Sequence, residues 1–180
     1  MDNPNAPCPL CASAKHMKKA KALYGNLVCK KCYYGFANRR QLAFFIDLVA
    51  WRVVMLPVGF VLGALMATAG FQRADIYAVA TGVGWLLLSI FFCKDCFSGQ
   101  SPGKALCGVK VINKATGQSA GIGASFKRNL PLLIPFMPLI VGGRLCRGHR
   151  LGDGWADTKV IWQKYADHPI FSVAPPAGQN

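Results

Sequence analysis

Residues 40–71 read RQLAFFIDLVAWRVVMLPVGFVLGALMATAGF, an apolar stretch whose only charged residues are Arg40, Asp47 and Arg52. The 19 uncharged residues after Arg52 would form a helix of roughly 28 Å, long enough to cross a bilayer. Two arrangements fit this stretch. One long tilted helix over about 42–70 would bury Asp47 within the bilayer, whereas an interfacial turn with a span from residue 53 would leave it near the headgroups. The apolar character of residues 41–52 favours the first, and a carboxylate buried in lipid usually marks function.

A second apolar run follows almost at once. Residues 76–93 contain 18 uncharged residues, and the short connection before them predicts an antiparallel helix hairpin. Gly59 and Gly63 have the spacing that lets another helix approach closely. Packing within the chain, against Ala78 and Gly82 or Ala80 and Gly84, is favoured over packing between copies.

A third apolar stretch is harder to interpret. Residues 129–146 include only 15 consecutive uncharged residues and contain Pro131, Pro135 and Pro138, which discourage a straight helix. A re-entrant segment and a true third span are both open.

Composition and charge support a membrane class. The chain of 180 residues is 53% hydrophobic and 16% charged, against about a quarter charged in a soluble domain. The net charge of +14 is concentrated before the first apolar run and after the second. This pattern predicts a cytoplasmic N-terminus, with anionic lipid headgroups as partners. Binding of nucleic acid is disfavoured.

Four cysteines near the N-terminus have the spacing of a metal site, C-x2-C-x17-C-x2-C. Four thiolates fill the tetrahedral shell that structural zinc prefers, and paired CxxC turns in a reducing compartment indicate metal. The predicted ligands are Cys8, Cys11, Cys29 and Cys32. A second pair, Cys93 and Cys96, lacks such a context, and its role stays open.

The loop after the second apolar run has structure of its own. Residues 106–112 alternate like a strand, 113–118 form a plausible turn, and 119–124 could return as a second strand. The sequence therefore predicts a short cytoplasmic β-hairpin. No arrangement of a hydrolase or of a nucleotide-binding loop is detectable, so the chain is not expected to be an enzyme.

Three stretches carry a more specific pattern: Arg40-x2-Ala43-x2-Ile46-Asp47, then Gly99-Gln-Ser-Pro-Gly-Lys104-Ala-Leu-Cys-Gly-Val-Lys-Val111, then Arg150-Leu-Gly-Asp153-x2-Ala156-x-Thr158-x-Val160. In order and spacing they resemble the RDD family of integral membrane proteins, over roughly 36–162. That family is named for an arginine at the start of the first membrane helix and two aspartates.

The resemblance implies signature positions and a class of function. Arg40, Asp47 and Asp153 match the three named residues, and Asp95 competes with Asp153 for the second aspartate. Lys104 and Arg150 lie in the matched stretches as further candidates. The family's function is mostly unassigned, although transport has been proposed and some members are linked to sodium/proton antiport. The chain departs from the family pattern in its cysteine-rich extension, its Cys93/Cys96 pair and Asp157, where many relatives have glycine.

These observations predict a mainly α-helical protein of the bacterial inner membrane. Residues 1–38 would form a cytoplasmic zinc-ribbon-like head, 39–162 the membrane domain, and 163–180 a disordered tail. The first functional hypothesis is transport of a small ligand, or of a cation or proton, through Asp47. Two or three spans would need a homo-oligomer to enclose a path. The alternative is a membrane-anchored adaptor or assembly protein whose zinc ribbon binds a protein partner.

Overall fold

The structure, a computed structural model, describes residues 7–13, 19–95, 98–134, 136, 140 and 151–172. Five α-helices and four short strands are formed by these residues. Their order is β1 (Lys21–Leu23), β2 (Asn26–Val28), α1 (Lys30–Thr68), α2 (Arg73–Phe92), α3 (Pro102–Cys107), β3 (Val109–Asn113), α4 (Ile122–Asn129), α5 (Leu151–Trp155) and β4 (Thr158–Trp162).

Helix α1 is one continuous helix of 39 residues, about 58 Å long at 1.5 Å per residue. It begins directly after Cys29, whose side chain caps it by accepting from the Cys32 amide. The single long helix is therefore found, but it starts 12 residues before the predicted position 42. The predicted boundary at residue 38 falls inside this helix. Its buried positions up to Asp47 recur every three or four residues, the period of one helix face.

The second half of α1 and all of α2 are long and apolar enough to cross a membrane. Their outer surfaces are exposed, as expected for lipid-facing helices: Val53, Leu56, Phe60 and Trp85 are each more than half exposed. Gly59 and Gly63 line the same gap of about 120 Å³ as Ala80 and Gly84. The small residues thus face one another within the chain, in the second of the two predicted pairings.

The N-terminal residues form a hairpin, β1–β2. Together with the first part of α1, the strands β3 and β4 and residues 163–172, this hairpin makes up the head of the protein. Tyr24 and Gly25 both have positive φ, +50° and +84°, which a tight two-residue hairpin turn requires. The Tyr24 hydroxyl donates to the Val160 carbonyl at 2.7 Å. The hairpin and the rest of the head share one hydrophobic core, in which Val28, Phe36, Val109 and Phe171 are almost fully buried.

The predicted β-hairpin over residues 106–124 needs correction. Strand β3 pairs antiparallel with β4, from Val109↔Trp162 to Asn113↔Thr158. The turn after β3 does form, because the Asn113 side chain accepts from the Ala115 and Thr116 amides. The return is a single bridge between Ile112 and Ser119, and α4 starts at Ile122.

The predicted disordered tail also needs correction over residues 163–172. A short 3-10 turn, Gln163–Tyr165, follows β4, and Ile170 and Phe171 are buried in the head core. These two apolar side chains order the segment because they cover the hairpin β1–β2. Residues 173–180 lie outside the described residues. The path of 129–146 also lies largely outside them; its described start is the end of α4 and a 3-10 turn, Leu130–Leu133.

Candidate functional site

A cluster of buried charges joins the head to the membrane hairpin. Three carboxylates meet four cationic side chains, and in each of the seven the side chain is at least nine-tenths buried. The carboxylates belong to Asp47, Asp95 and Asp153. The cations belong to Arg40, Lys94, Lys104 and Arg128.

Five of these residues form an alternating chain of charge. Arg40 Nη2 lies 3.4 Å from Asp153 Oδ2, and Arg128 Nε donates to Asp153 Oδ1 at 2.5 Å. Arg128 Nη1 donates to Asp95 Oδ2 at 3.1 Å, and Lys104 Nζ contacts Asp95 Oδ1. Arg128 therefore bridges the two aspartates, while Arg40 and Lys104 stand at the two ends.

Asp47 holds α3 against α1. Its carboxylate accepts from the Ser101 hydroxyl at 2.5 Å and from the Gly103 amide at 2.8 Å. It thereby caps the N-terminus of α3 from another helix, at the end that favours negative charge. Lys94 Nζ lies 3.1 Å from Asp47 Oδ2, and Lys94 is the second residue after the end of α2. Asp47 thus lies level with the C-terminal end of α2 instead of within the apolar part of the span.

Helix α4 closes the cluster from the other side. The Ser125 hydroxyl donates to the Phe92 carbonyl at 2.9 Å, and the Asn129 amide donates to the same oxygen at 2.8 Å. These bonds satisfy the end of α2, whose last carbonyls have no partner within the helix. The Asp95 amide donates to Ser125 Oγ at 3.1 Å, so the cap also positions Asp95.

Burial and charge act in opposition in this cluster. Burial alone would raise the pKa of Asp95, but Lys104 and Arg128 hold it well below its usual range. Burial lowers the pKa of Lys104 to about 7, although Asp95 opposes this shift. Burial also disfavours the charged form of Arg128, but Asp153 and Asp95 raise its pKa and keep it protonated.

The structure brings together most of the signature residues. Arg40, Asp47, Asp95, Lys104 and Asp153 all belong to the cluster, whereas Arg150 lies outside the described residues. Both candidates for the second aspartate, Asp95 and Asp153, belong to the cluster, and Arg128 binds both of them.

Sequence reasoning missed three members of the site. Lys94 and Arg128 stand in no pattern that would separate them from surface residues, whereas Ser101 lies inside the matched stretch from Gly99 to Val111, whose pattern does not identify it as a site residue. The available signal was the shortage of acids: with seven Asp and no Glu in the chain, each buried aspartate needs a cation from elsewhere in the sequence.

Gly103 tests the contact between α3 and α1. A Cβ there would overlap the Ala43 carbonyl oxygen and lie 2.8 Å from Asp47 Oδ1. We expect Gly103→Ala to lower the stability of the protein by about 1–3 kcal/mol, because the overlap would push α3 away from α1. The matched control is Gly123→Ala in α4, where a Cβ would meet nothing within 4 Å. Thermal unfolding in detergent measures both, and equal midpoints would contradict the close packing.

A second cluster lies in the head. The sulfur atoms of Cys8, Cys11, Cys29 and Cys32 lie within 4.8 Å of one another, so they could hold a metal ion. The Cys29 amide donates to Cys8 Sγ at 3.3 Å. Burial disfavours the Cys8 thiolate, but backbone amides of Cys29, Cys11 and Leu10 lower its pKa to about 7. The four predicted ligands are therefore found together.

The other two cysteines that the structure describes take no part in that cluster. Cys93 is half-buried at the end of α2, and Cys107 is buried in the head core. Cys96 and Cys146 lie outside the described residues, so the predicted pair of Cys93 and Cys96 cannot be described.

A cleft of about 620 Å³ separates the middle of α1 from the C-terminal end of α2. Its walls are mainly apolar and include Trp51, Ile90 and Phe91, and Asp47 and Lys94 contribute its polar end.

One comparison with known proteins gives a match. The model of the family described as "RDD family" matches residues 34–162. The matched range includes the whole charge cluster, and it begins after the four clustered cysteines. No curated protein and no solved structure matches the chain.

Proposed function

The chain belongs to the RDD family of membrane proteins, and from that premise we propose that it is a membrane-anchored assembly protein whose metal-holding head binds a protein partner. The head would lie in the cytoplasm of a bacterial cell, at the inner membrane, as the positive-inside distribution predicts. The charge cluster would serve to lock this head to the helix hairpin.

The observation that carries this proposal is the state of Asp47. Its two oxygens are already engaged by Ser101, Gly103 and Lys94, at 2.5, 2.8 and 3.1 Å. A carboxylate that carries a cation or proton across a membrane must exchange its partner during each cycle. These contacts favour a fixed structural role.

The charge distribution along the helices supports the same proposal. After Asp47, the only charged residue of α1 is Arg52. The only charged residues of α2 are Arg73 and Asp75, both in its first turn. The described spans therefore offer no sequence of charged groups between their two ends.

Zinc is the metal that the cysteine cluster fits best. Zn–S bonds of about 2.3 Å in a tetrahedron place sulfur atoms about 3.8 Å apart. Cys11 Sγ and Cys29 Sγ lie 3.7 Å apart, and the Cys29 and Cys32 amides donate to sulfur as they would to a bound thiolate. Four protein ligands leave no open position, so the metal would stabilise the head without catalysing a reaction.

The head also exposes large apolar side chains that a protein partner could cover. Leu106 and Trp155 are 77% and 63% exposed. Aromatic and large aliphatic side chains of this kind commonly anchor protein interfaces. Cross-linking in intact cells should therefore give an adduct with the wild type that is lost in Leu106→Asn or Trp155→Asn.

Transport is the property that most directly tests the proposal. Vesicles that contain the purified, metal-loaded protein should show no Na⁺- or K⁺-driven proton movement above that of protein-free vesicles. Asp47→Asn should lower the stability by about 1.5–3 kcal/mol, because it weakens hydrogen bonds to a charged group. Flux in the wild type that is lost in a folded Asp47→Asn variant would refute the assembly role.

Transport of a small ligand is the second candidate. The cleft between α1 and α2 favours it, since its volume of about 620 Å³ suits a small molecule and Asp47 and Lys94 lie at its polar end. Two helices cannot enclose a path, so this function would require a homo-oligomer. Flux lost in Trp51→Ala but kept in Phe60→Ala, on the exposed surface, would support it.

A further inference from the structure

We propose that the charge cluster contains a binding site for one small monovalent anion of the halide class. Four cationic residues, Arg40, Lys94, Lys104 and Arg128, line a single cavity of about 20 Å³. Among the described residues that line it, Asp47 is the one carboxylate and the rest are apolar. This inference goes beyond the proposed assembly function and does not depend on it.

Among the residues that the structure describes, the charges of the cluster sum to one net positive charge. Four cations meet three carboxylates, and other acids cannot easily make up the difference. Of the chain's seven aspartates, Asp157 is 66% exposed beside Lys114, Asp75 lies in the first turn of α2 and Asp167 is exposed. The seventh, Asp2, lies outside the described residues. A net charge in a buried cluster is costly, so the site favours an anion.

The position of the excess charge coincides with the cavity. Lys94 and Asp47 form a neutral pair, and the chain from Arg40 through Arg128 to Lys104 has a cation at each end. Both end residues line the cavity. An anion placed there would lie between the two ends and complete the alternation of charge.

The size of the cavity selects the class of anion. About 20 Å³ is room for one particle of the size of a water molecule, which suits a monatomic anion and excludes sulfate, phosphate and carboxylates. The pKa of Lys104 agrees with an excess of positive charge: burial first, and then Arg128 and Lys94, lower it to about 7 against the effect of Asp95.

The test is the response of the full-length, metal-loaded protein to chloride at constant ionic strength. In detergent, with gluconate as the replacing anion, the unfolding midpoint should rise saturably with chloride, by about 3–5 °C at ten times the dissociation constant. Bromide should act like chloride, and sulfate should not. A linear response, or one that is equal for all anions, would show general screening and overturn the proposal.

Variants locate the site. Lys104→Met removes the excess charge, so its midpoint should no longer depend on chloride. The matched control Lys114→Met removes a lysine whose side chain is 35% exposed, and it should keep the full response. If Lys104→Met does not fold, equilibrium dialysis of the wild type with radiolabelled chloride decides. About one chloride per chain, displaced by bromide, supports the site, and no stoichiometric chloride overturns it.

Discussion

Replacing Asp95 by asparagine should destabilise the protein by about 3–5 kcal/mol, because it leaves buried cations without their carboxylate. Asp95 is fully buried and accepts from both Lys104 and Arg128. Asparagine has the same shape, so the loss would report charge and hydrogen bonding instead of packing. Thermal or denaturant unfolding in detergent measures it. A loss below 1 kcal/mol would mean that the cluster does not hold the head to the hairpin.

The matched control is Asp157→Asn. The Lys114–Asp157 pair is 3.7 Å long and its carboxylate is 66% exposed, so this change should cost less than about 1 kcal/mol. The backbone at Asp157 has φ +46°, which asparagine tolerates well. Comparing Asp95→Asn with Asp157→Asn therefore separates the contribution of a buried carboxylate to stability from that of an exposed one.

The effect of Asp95→Asn should also depend on pH. The unfolded chain keeps the Lys104 proton up to about pH 10.5, whereas burial lowers the pKa of Lys104 to about 7 in the folded state. Between these values the unfolded state binds more protons, so stability rises with pH. Without Asp95 the folded pKa falls further, and the loss caused by the variant should be largest below about pH 7.

Removal of the metal should unfold more of the head than the hairpin that carries the cysteines. Structural zinc contributes on the order of 10 kcal/mol to the folding of small zinc domains. Here Cys29 and Val28 share a core with Val109 and Val160. We expect chelation or Cys29→Ser to abolish the slow hydrogen exchange of β3 and β4 as well as that of β1 and β2.

Cys93→Ser is the control for this experiment. Cys93 is half-buried and lies outside the four-cysteine cluster. The hydrogen-exchange pattern of the Cys93→Ser variant should therefore match that of the wild type. Elemental analysis should give one zinc per chain for wild type and Cys93→Ser. Loss of protection confined to residues 19–32 would show that the cysteine hairpin folds independently of the rest of the head.

The sequence predicted those parts of the site that follow from local periodicity. Arg40 and Asp47 are seven residues apart, two helical turns, so they had to share one face of α1. The two CxxC pairs predicted the cysteine cluster because each brings two thiols together locally. The apolar runs predicted α1 and α2 because their length alone suffices to cross a bilayer.

The remaining parts depend on contacts between distant segments. Strand β3 has the alternation of a strand, but nothing local indicates that its partner is β4, 45 residues after the end of β3. Arg128 lies in an ordinary polar helix, and only its burial between Asp95 and Asp153 identifies it. Phe171 lies in the predicted disordered tail, because the Pro/Gly-rich residues after it indicate disorder more strongly than one aromatic side chain indicates order.

The closure of the head by its C-terminal residues sets an order of events during synthesis. The Tyr24 hydroxyl reaches Val160, 136 residues later, and His168 contacts the Pro9 carbonyl across 159 residues. Both apolar helices must therefore leave the ribosome while β4 and Phe171 have not yet been made. We therefore expect the two apolar helices to enter the membrane before the head is complete, and until β4 and Phe171 emerge the cysteine hairpin lacks that part of its core.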